Sequence, residues 1–540
     1  MPGRMDFNVD ALRIDDLRAS SSDILKRVRD TGSAIEEMKG HRAPHRKQGK
    51  TGFALSGGGA KGSFQIGALR FLMEMRGIHP EIVSGTSVGA VNGAKLAEGD
   101  KKPADAPGYR PGLEGLIDIW HGLKKDEDMA VPIVEFQKLI GLLKGEISDI
   151  AASVFGIGLM VGINPIVFAP FIGCLADEIT GSIEQIRKTV AEALYSGGIW
   201  SLNPVRAMIQ DKNRFRPDLF RASGIEMLIC WVGMLSGKTF YVDNQKRLYV
   251  SPNFQSPVGT VDRLTDSIHA SASIPVVFKP PVVRGEWGGR RFAEVGFDGG
   301  VTEVAPVEIL AARGATQIFA IVCSPAEIAD LFTGVAGEAE GSMFKTVPQL
   351  EWNNGAPAAV EKHLAELPAL QFLLTIGTRA LDIAVGEVLR DDLRMPNGQT
   401  TVIRPYVLVH ETQQIDQDLI GINEDHGWMC AYDSEIPAQR PVRMQGREML
   451  LPNLTRKFAR DTNAAITLAR RERCLARRAV AILKTPAIRQ MFGTSQASKL
   501  ADAYGNLAEK NADVIREGVE ARRLRLGLDS VPVLASAWDD

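Results

Sequence analysis

The chain is poor in cysteine. Five cysteines are spread through 540 residues, at positions 174, 230, 323, 430 and 474, and no two form a CxxC pair. An odd, scattered set excludes a disulfide-framed module and argues against a thiolate zinc site. It suits a reducing compartment or an unbridged protein. An excess of either charge is missing too. Lys and Arg total 63 against 65 Asp and Glu, a formal net charge of -2, so no global field draws in nucleic acid or a membrane. The opening stretch MPGRMDFNVDALRIDDLRAS holds no apolar core of the Sec type. The expected location is cytoplasmic or peripheral to a membrane, and delivery into another cell as an effector is compatible with that. No internal repeat is visible.

What is present is length enough for a large core with appendages. Residues 5–40 carry apolar positions at helical spacing, such as Ile24, Leu25, Val28 and Ile35, and GHRAPHRKQGK reads as a basic linker. Residues 1–50 are therefore read as a helical N-terminal extension. From Gly52 the pattern changes. GFALSG reads as a strand, FQIGALRFLMEMRG as a helix, EIVSG as a second strand and VGAVNGAKLAEG as a second helix. Alternation on short links argues a parallel sheet. Further strands are expected in IEMLICWVGML, KTFYVDN and TQIFAIVCS, which makes residues 51–325 one α/β domain.

Residues 100–200 interrupt that domain as a helical insertion. Its stretch 150–176 carries no charge and exceeds the ~20 apolar residues that cross a bilayer core. Asn164, Pro165, Pro170 and three glycines break it. A buried or lid-forming hairpin, a membrane-penetrating lid and a true span all remain open; a span would put parts of one sheet on opposite sides of a membrane. Residues 326–540 read as mostly helical, with a strand in TVIRPYVLVH. Arg470, Arg473 and Arg477 share one face of a basic helix, either an ordinary surface or a dock for anionic lipid.

The chemistry is concentrated in SGGGAKGS. Its lysine precedes the last glycine, so it is not a Walker loop, which needs GxxxxGK and then Ser or Thr. Gly57, Gly59 and Gly62 satisfy GxGxxG, but the next strand ends in SGTSVGA and lacks the acidic residue of a dinucleotide site. That second strand decides the reading. Gly85, Thr86, Ser87, Val88 and Gly89 form GxSxG between a strand and a helix. A serine on so tight a turn needs small neighbours two positions either side, and the helix start favours negative charge near its hydroxyl. Acyl transfer by a serine creates an oxyanion that needs preorganised N–H donors. A glycine turn at a helix start presents bare N–H groups. The loop Gly57, Gly58, Gly59, Ala60, Lys61 and Gly62 is therefore read as an oxyanion hole, with Gly58 and Gly59 as the main donors and Lys61 as a candidate contact for an anionic group.

A base is still required. His363, His410 and His426 are candidates in none of which a catalytic turn is visible. Asp298 ends a short apolar stretch and is followed by Gly299 and Gly300, a turn that exposes a carboxylate.

SGGGAKGSFQIGAL, GTSVGA and DGG, in this order, resemble the patatin-like phospholipase family, and SIHASASIPVVFKPP, SLNPVRAMI and GIEMLICWVGMLSGKTFYV agree with it. The resemblance covers about 51–325, apart from the insertion. It implies a three-layer α/β/α fold with a mainly parallel central sheet. It also implies a serine–aspartate dyad, with Ser87 as nucleophile and Asp298 as general base, and the glycine loop as oxyanion hole. No metal or cofactor is expected. The implied substrate is a phospholipid, lysophospholipid or other acyl lipid met at a membrane surface. A triacylglycerol lipase or acyltransferase would share these residues. A lipid-binding regulatory protein with an occluded site is the alternative outside enzymes.

Overall fold

The computed structural model describes residues 49–132, 198–325, 400–410, 412, 414–436, 441–444, 447–450 and 454–532, with a few positions between 21 and 38. The uncharged stretch 150–176 and His363 lie outside the described residues, as does most of the N-terminal extension. The chain divides into two compact units. Among the described residues, the first takes in 49–132, 198–325 and 400–434, and the second takes in those before 44 and after 434.

The first unit is built on ten strands. They are β1 (Lys50–Leu55), β2 (Ile82–Thr86), β3 (Glu226–Gly233), β4 (Thr239–Asp243), β5 (Arg247–Val250), β6 (Gly259–Val261), β7 (Val282–Trp287), β8 (Arg290–Asp298), β9 (Ala315–Ile321) and β10 (Thr400–Ile403). The order across the sheet is β8-β7-β6-β5-β4-β3-β2-β1-β9-β10. The five strands from β3 to β10 run parallel. The strands from β3 to β8 form an antiparallel meander, and β8 pairs back onto β3 to close a six-stranded barrel.

The expected mainly parallel sheet is thus corrected: it describes one half. The reason lies in the links. Residues 244–246 join β4 to β5 and Gly288–Gly289 join β7 to β8. A parallel crossover needs a dozen or more residues, so links this short force hairpins.

The helices of this unit are α1 (Ser63–Arg70), α2 (Val88–Leu96), α3 (Gly112–Gly122), α4 (Asn203–Gln210), α5 (Leu264–Ser271), α6 (Val307–Ala312) and α7 (Gln417–Ser434). Strand β3 is apolar on both faces because both are covered. Met227, Ile229 and Trp231 pack with Ala90 and Ala94 of α2 and Ile268 of α5. Leu228 and Cys230 pack with Tyr241, Tyr249 and Val307 and Leu310 of α6. Helix α7 lies on α1 and on the helical turn Phe71–Met75 that continues it, where Phe71 meets Trp428 edge-on at 5.6 Å.

In the second unit, helices α8 (Leu454–Leu483) and α9 (Thr494–Leu526) pack together, and the fully buried Arg522 donates to the carbonyls of Ala459 and Ser530 at 2.6 and 3.1 Å. Arg473 is buried while Arg477 is exposed, so the arginines of α8 do not present one common exposed face. Among the described residues no helix is long and apolar enough to cross a membrane.

Candidate active site

Ser87 stands between β2 and α2 with φ 56° and ψ -125°. A non-glycine residue at positive φ costs of order 1–3 kcal/mol and persists only where its surroundings hold it. Two contacts hold it here. The Ser87 N–H donates to Ser271 Oγ of α5 at 2.9 Å, and the Ser87 carbonyl accepts from Ala90 N at 2.9 Å inside the first turn of α2. The flanking glycines allow the turn by close approach. A Cβ on Gly89 would lie 2.1 Å from the Leu55 carbonyl oxygen. The start of α2 points its partial positive charge at the serine.

Asp298 closes β8. Pairing with Trp231 of β3 brings it across that strand from the elbow, whose Thr86 pairs with Cys230 on the other side. Its N–H donates to the Ser273 carbonyl at 2.9 Å, and its Oδ1 accepts from Gly300 N at 2.8 Å. Burial pushes the Asp298 carboxyl up to about 6, against the opposing pull of the Ser87 side chain and of the bond from Gly300 N. Positions more than two hundred residues apart in sequence therefore meet as a hydroxyl and a carboxyl whose proton affinity suits neutral pH.

The glycine loop follows β1. Gly57 N–H donates to Val304 O at 3.1 Å, Ala60 N–H to Thr412 O at 2.7 Å, and Lys61 N–H to Gly58 O at 3.2 Å. Among the described residues no backbone acceptor faces the N–H of Gly58 or Gly59. Gly57 lies against the serine, since a Cβ there would sit 3.2 Å from Ser87 Cβ. Lys61 is half-buried and close enough to Cys323 to oppose, by its charge, the rise that burial imposes on that thiol.

A buried polar network fixes the loop from behind. Gln65 Nε2 donates to Ser56 O at 2.8 Å, Asn92 Nδ2 to Gln65 Oε1 at 2.8 Å, and Trp120 Nε1 to Asn92 Oδ1 at 3.0 Å. From α7, Asn423 Nδ2 donates to Ser63 Oγ at 2.8 Å and to the Lys61 carbonyl at 3.2 Å.

The histidines are engaged elsewhere. His410 Nε2 meets Ser63 Oγ at 3.2 Å, and His426 Nε2 accepts from Tyr406 N–H at 3.0 Å. His269, on α5, has no hydrogen-bond partner at either ring nitrogen among the described residues, and burial, with Arg206 adding to it, pushes it down to about 4. Among the described residues no cluster of His, Cys, Asp and Glu is placed to hold a metal ion.

Sequence reasoning assigned no role to Ser271, Thr412 or Asn423. Ser271 lies within SIHASASIP, so its neighbourhood carried a signal. Thr412 and Asn423 act through a backbone carbonyl and a side-chain amide far along the chain, and nothing in their local sequence marks them.

The model of the patatin-like phospholipase family matches residues 53–109. That segment holds the second half of β1, the glycine loop, α1, the Ser87 elbow and α2; Asp298 lies outside it. No curated protein sequence matches the chain. Among solved structures, VipD from Legionella pneumophila is similar at 14% identity over 93% of this chain and 92% of that one, with a TM-score of 0.27.

Proposed function

From a patatin-like phospholipase segment at residues 53–109, we propose that the protein is a lipid acyl hydrolase of the phospholipase A or lysophospholipase type, working through Ser87 and Asp298 without a histidine. The observation that carries this is the Ser87 elbow, held at φ 56°, beside the buried Asp298 carboxyl, which is pushed up to about 6 and which the serine side chain pulls back down. A carboxylate of ordinary acidity is a poor base near pH 7; this one is better matched to the task.

Ser87 Oγ attacks the ester carbonyl carbon, and its proton passes to the Asp298 carboxylate. The carbonyl π electrons move to oxygen, and the N–H groups of Gly58 and Gly59 bind that oxyanion, aided by the start of α2. Gly57 and Ala60, whose N–H groups are occupied by Val304 and Thr412, shape the loop instead. The intermediate collapses as the alcohol or lysolipid leaves with the proton from Asp298. Water, deprotonated by the same carboxylate, then attacks the acyl-enzyme and releases the fatty acid.

The test is a fluorophosphonate probe with tandem mass spectrometry, beside product analysis on mixed phospholipids. Labelling at Ser87 and release of fatty acid are expected from the parent, with loss of both in Ser87→Ala. Undiminished hydrolysis by Ser87→Ala overturns the assignment.

A further inference from the structure

The turn between β3 and β4, residues 234–238, is unusual for a hairpin link. Leu235 is 73% exposed and Met234 57%. A connecting turn of polar residues would serve the fold equally well. This one is also held rigidly. The buried Glu294 of β8 accepts from Leu235 N at 2.8 Å and Ser236 N at 3.1 Å, and Met234 N donates to Val295 O at 2.8 Å. Gly237 takes φ 64° and donates back to Gly233 O at 2.9 Å. The two large apolar side chains are thus fixed outward rather than swinging between water and core.

Their surroundings extend the feature. Val295, whose carbonyl anchors Met234, pairs with Val282 of β7, which is itself exposed. Val301 is exposed beside Thr302, whose hydroxyl meets that of Thr239 at the start of β4, 2.8 Å away. Among the described residues of the first unit the exposed large apolar side chains are Met75, Met234, Leu235, Val282 and Val301, and of these all but Met75 gather around this turn. Exposed cations flank it: Lys238 on the turn, Lys279 ahead of Val282, and Arg284 two residues beyond it on the same exposed side of β7. Glu286 follows Arg284 on that side as an exposed acid, while Glu294, which accepts from the turn, is buried and directed at backbone N–H groups.

The position relative to the site is set by register. Asp298 pairs with Trp231, and β3 runs on past it toward the turn. Four residues of extended chain reach about 13 Å. The glycine loop, the Ser87 elbow and this turn all follow the carboxyl ends of β1, β2 and β3, three strands that run parallel.

The geometry points to this turn as the surface by which the protein docks on an anionic lipid layer. Met234 and Leu235 enter the acyl boundary while Lys238, Lys279 and Arg284 meet the headgroups. The assignment rests on the lipid acyl hydrolase reading above and deepens it, because it puts the site's edge against the layer that holds the substrate.

The experiment uses the full chain and vesicles of equal phosphatidylglycerol and phosphatidylcholine. The parent should sediment with the vesicles, less so as salt is raised, and the double variant Met234→Ser with Leu235→Ser should bind at least tenfold more weakly. Turnover of a short soluble ester, p-nitrophenyl butyrate, should be the same in both. In Leu235→Trp, the emission of the new indole should shift to the blue when vesicles are added. The proposal is overturned if the parent does not bind vesicles, if the double variant binds them equally well, or if the indole stays in water on vesicle-bound protein. A parent that hydrolyses neither the butyrate ester nor the vesicle lipid defeats the hydrolase reading. Sedimentation, measured without turnover, decides the docking surface by itself.

Discussion

At the scale of single residues, Asp298 links function to stability, and the sign of each dependence follows from one number. In the proposed mechanism its carboxylate takes the Ser87 proton, so activity should fall as pH drops through about 6, where burial has pushed its carboxyl. The pH profile of kcat/KM checks this; a limb near the ordinary value of 3.8 would contradict it. Stability runs the other way. The folded carboxyl holds its proton more tightly than the unfolded one, so the folded state binds more protons between about 4 and 6. Its contribution is most favourable below the unfolded value and is lost as pH rises through the folded value. At about 1.4 kcal/mol per pKa unit, the loss above pH 6 is about 3 kcal/mol. Asp298→Asn keeps an acceptor for Gly300 N and removes the buried charge. It should melt higher than the parent at pH 8 while losing hydrolysis, as calorimetry beside an ester assay would read.

At the scale of elements, the elbow depends on a helix that is distant in sequence. Helix α5 brings Ser271 Oγ to the Ser87 N–H, and its last turn leads to Ser273, whose carbonyl accepts from Asp298 N. This helix and the residues just after it thus anchor both Ser87 and Asp298 through their backbones. Ser271→Ala leaves the Ser87 N–H without its acceptor at a turn already held at positive φ, an orphan that costs about 1–3 kcal/mol. The expected result is a lower melting temperature and a kcat reduced about tenfold or more, with KM little changed. Ser267→Ala, one turn earlier on α5, is the control, because the Ser267 hydroxyl is buried and has no hydrogen-bond partner among the described residues. Equal effects from both changes would refute the anchoring role. The elements nearest the chemistry were legible because their signals are local: a glycine run after β1, and small residues flanking Ser87. The strands Glu226–Gly233, Thr239–Asp243 and Ala315–Ile321 fall where apolar runs placed them. The barrel was not legible from those runs. Its closure depends on Gly296, Phe297 and Asp298 pairing back onto β3, a contact between strands that no local pattern encodes.

At the scale of the whole molecule, the site draws on chain well beyond its recognisable motifs. Strand β10 pairs with β9, Thr412 accepts from Ala60 N, and Asn423 of α7 ties the Lys61 carbonyl and Ser63. Helix α7 buries residues on every side, from Leu419 and Ile422 to His426 and Asp433, so it carries no apolar stripe by which its role could be read. Its packing on α1 is close: a Cβ on Gly427 would lie 2.0 Å from the Phe64 carbonyl oxygen. A chain cut after residue 325 would keep every motif of the site yet lose β10 and α7, leaving the β9 edge unpaired and Phe64 of α1 and Phe71 just after it open to water. Such an edge and patch favour aggregation. A chain of residues 44–434 keeps both elements and spans the first compact unit, Pro44–Glu327 and Glu340–Ser434, together with residues 328–339 of the second. The longer piece should be soluble, melt cooperatively and label with fluorophosphonate at Ser87, whereas residues 44–325 should aggregate on expression. Cooperative melting and equal labelling of the shorter piece would show that β10 and α7 are appendages. Failure of the longer piece to fold would show that the first unit depends on the second. Either result would contradict a catalytic unit that ends at Ser434.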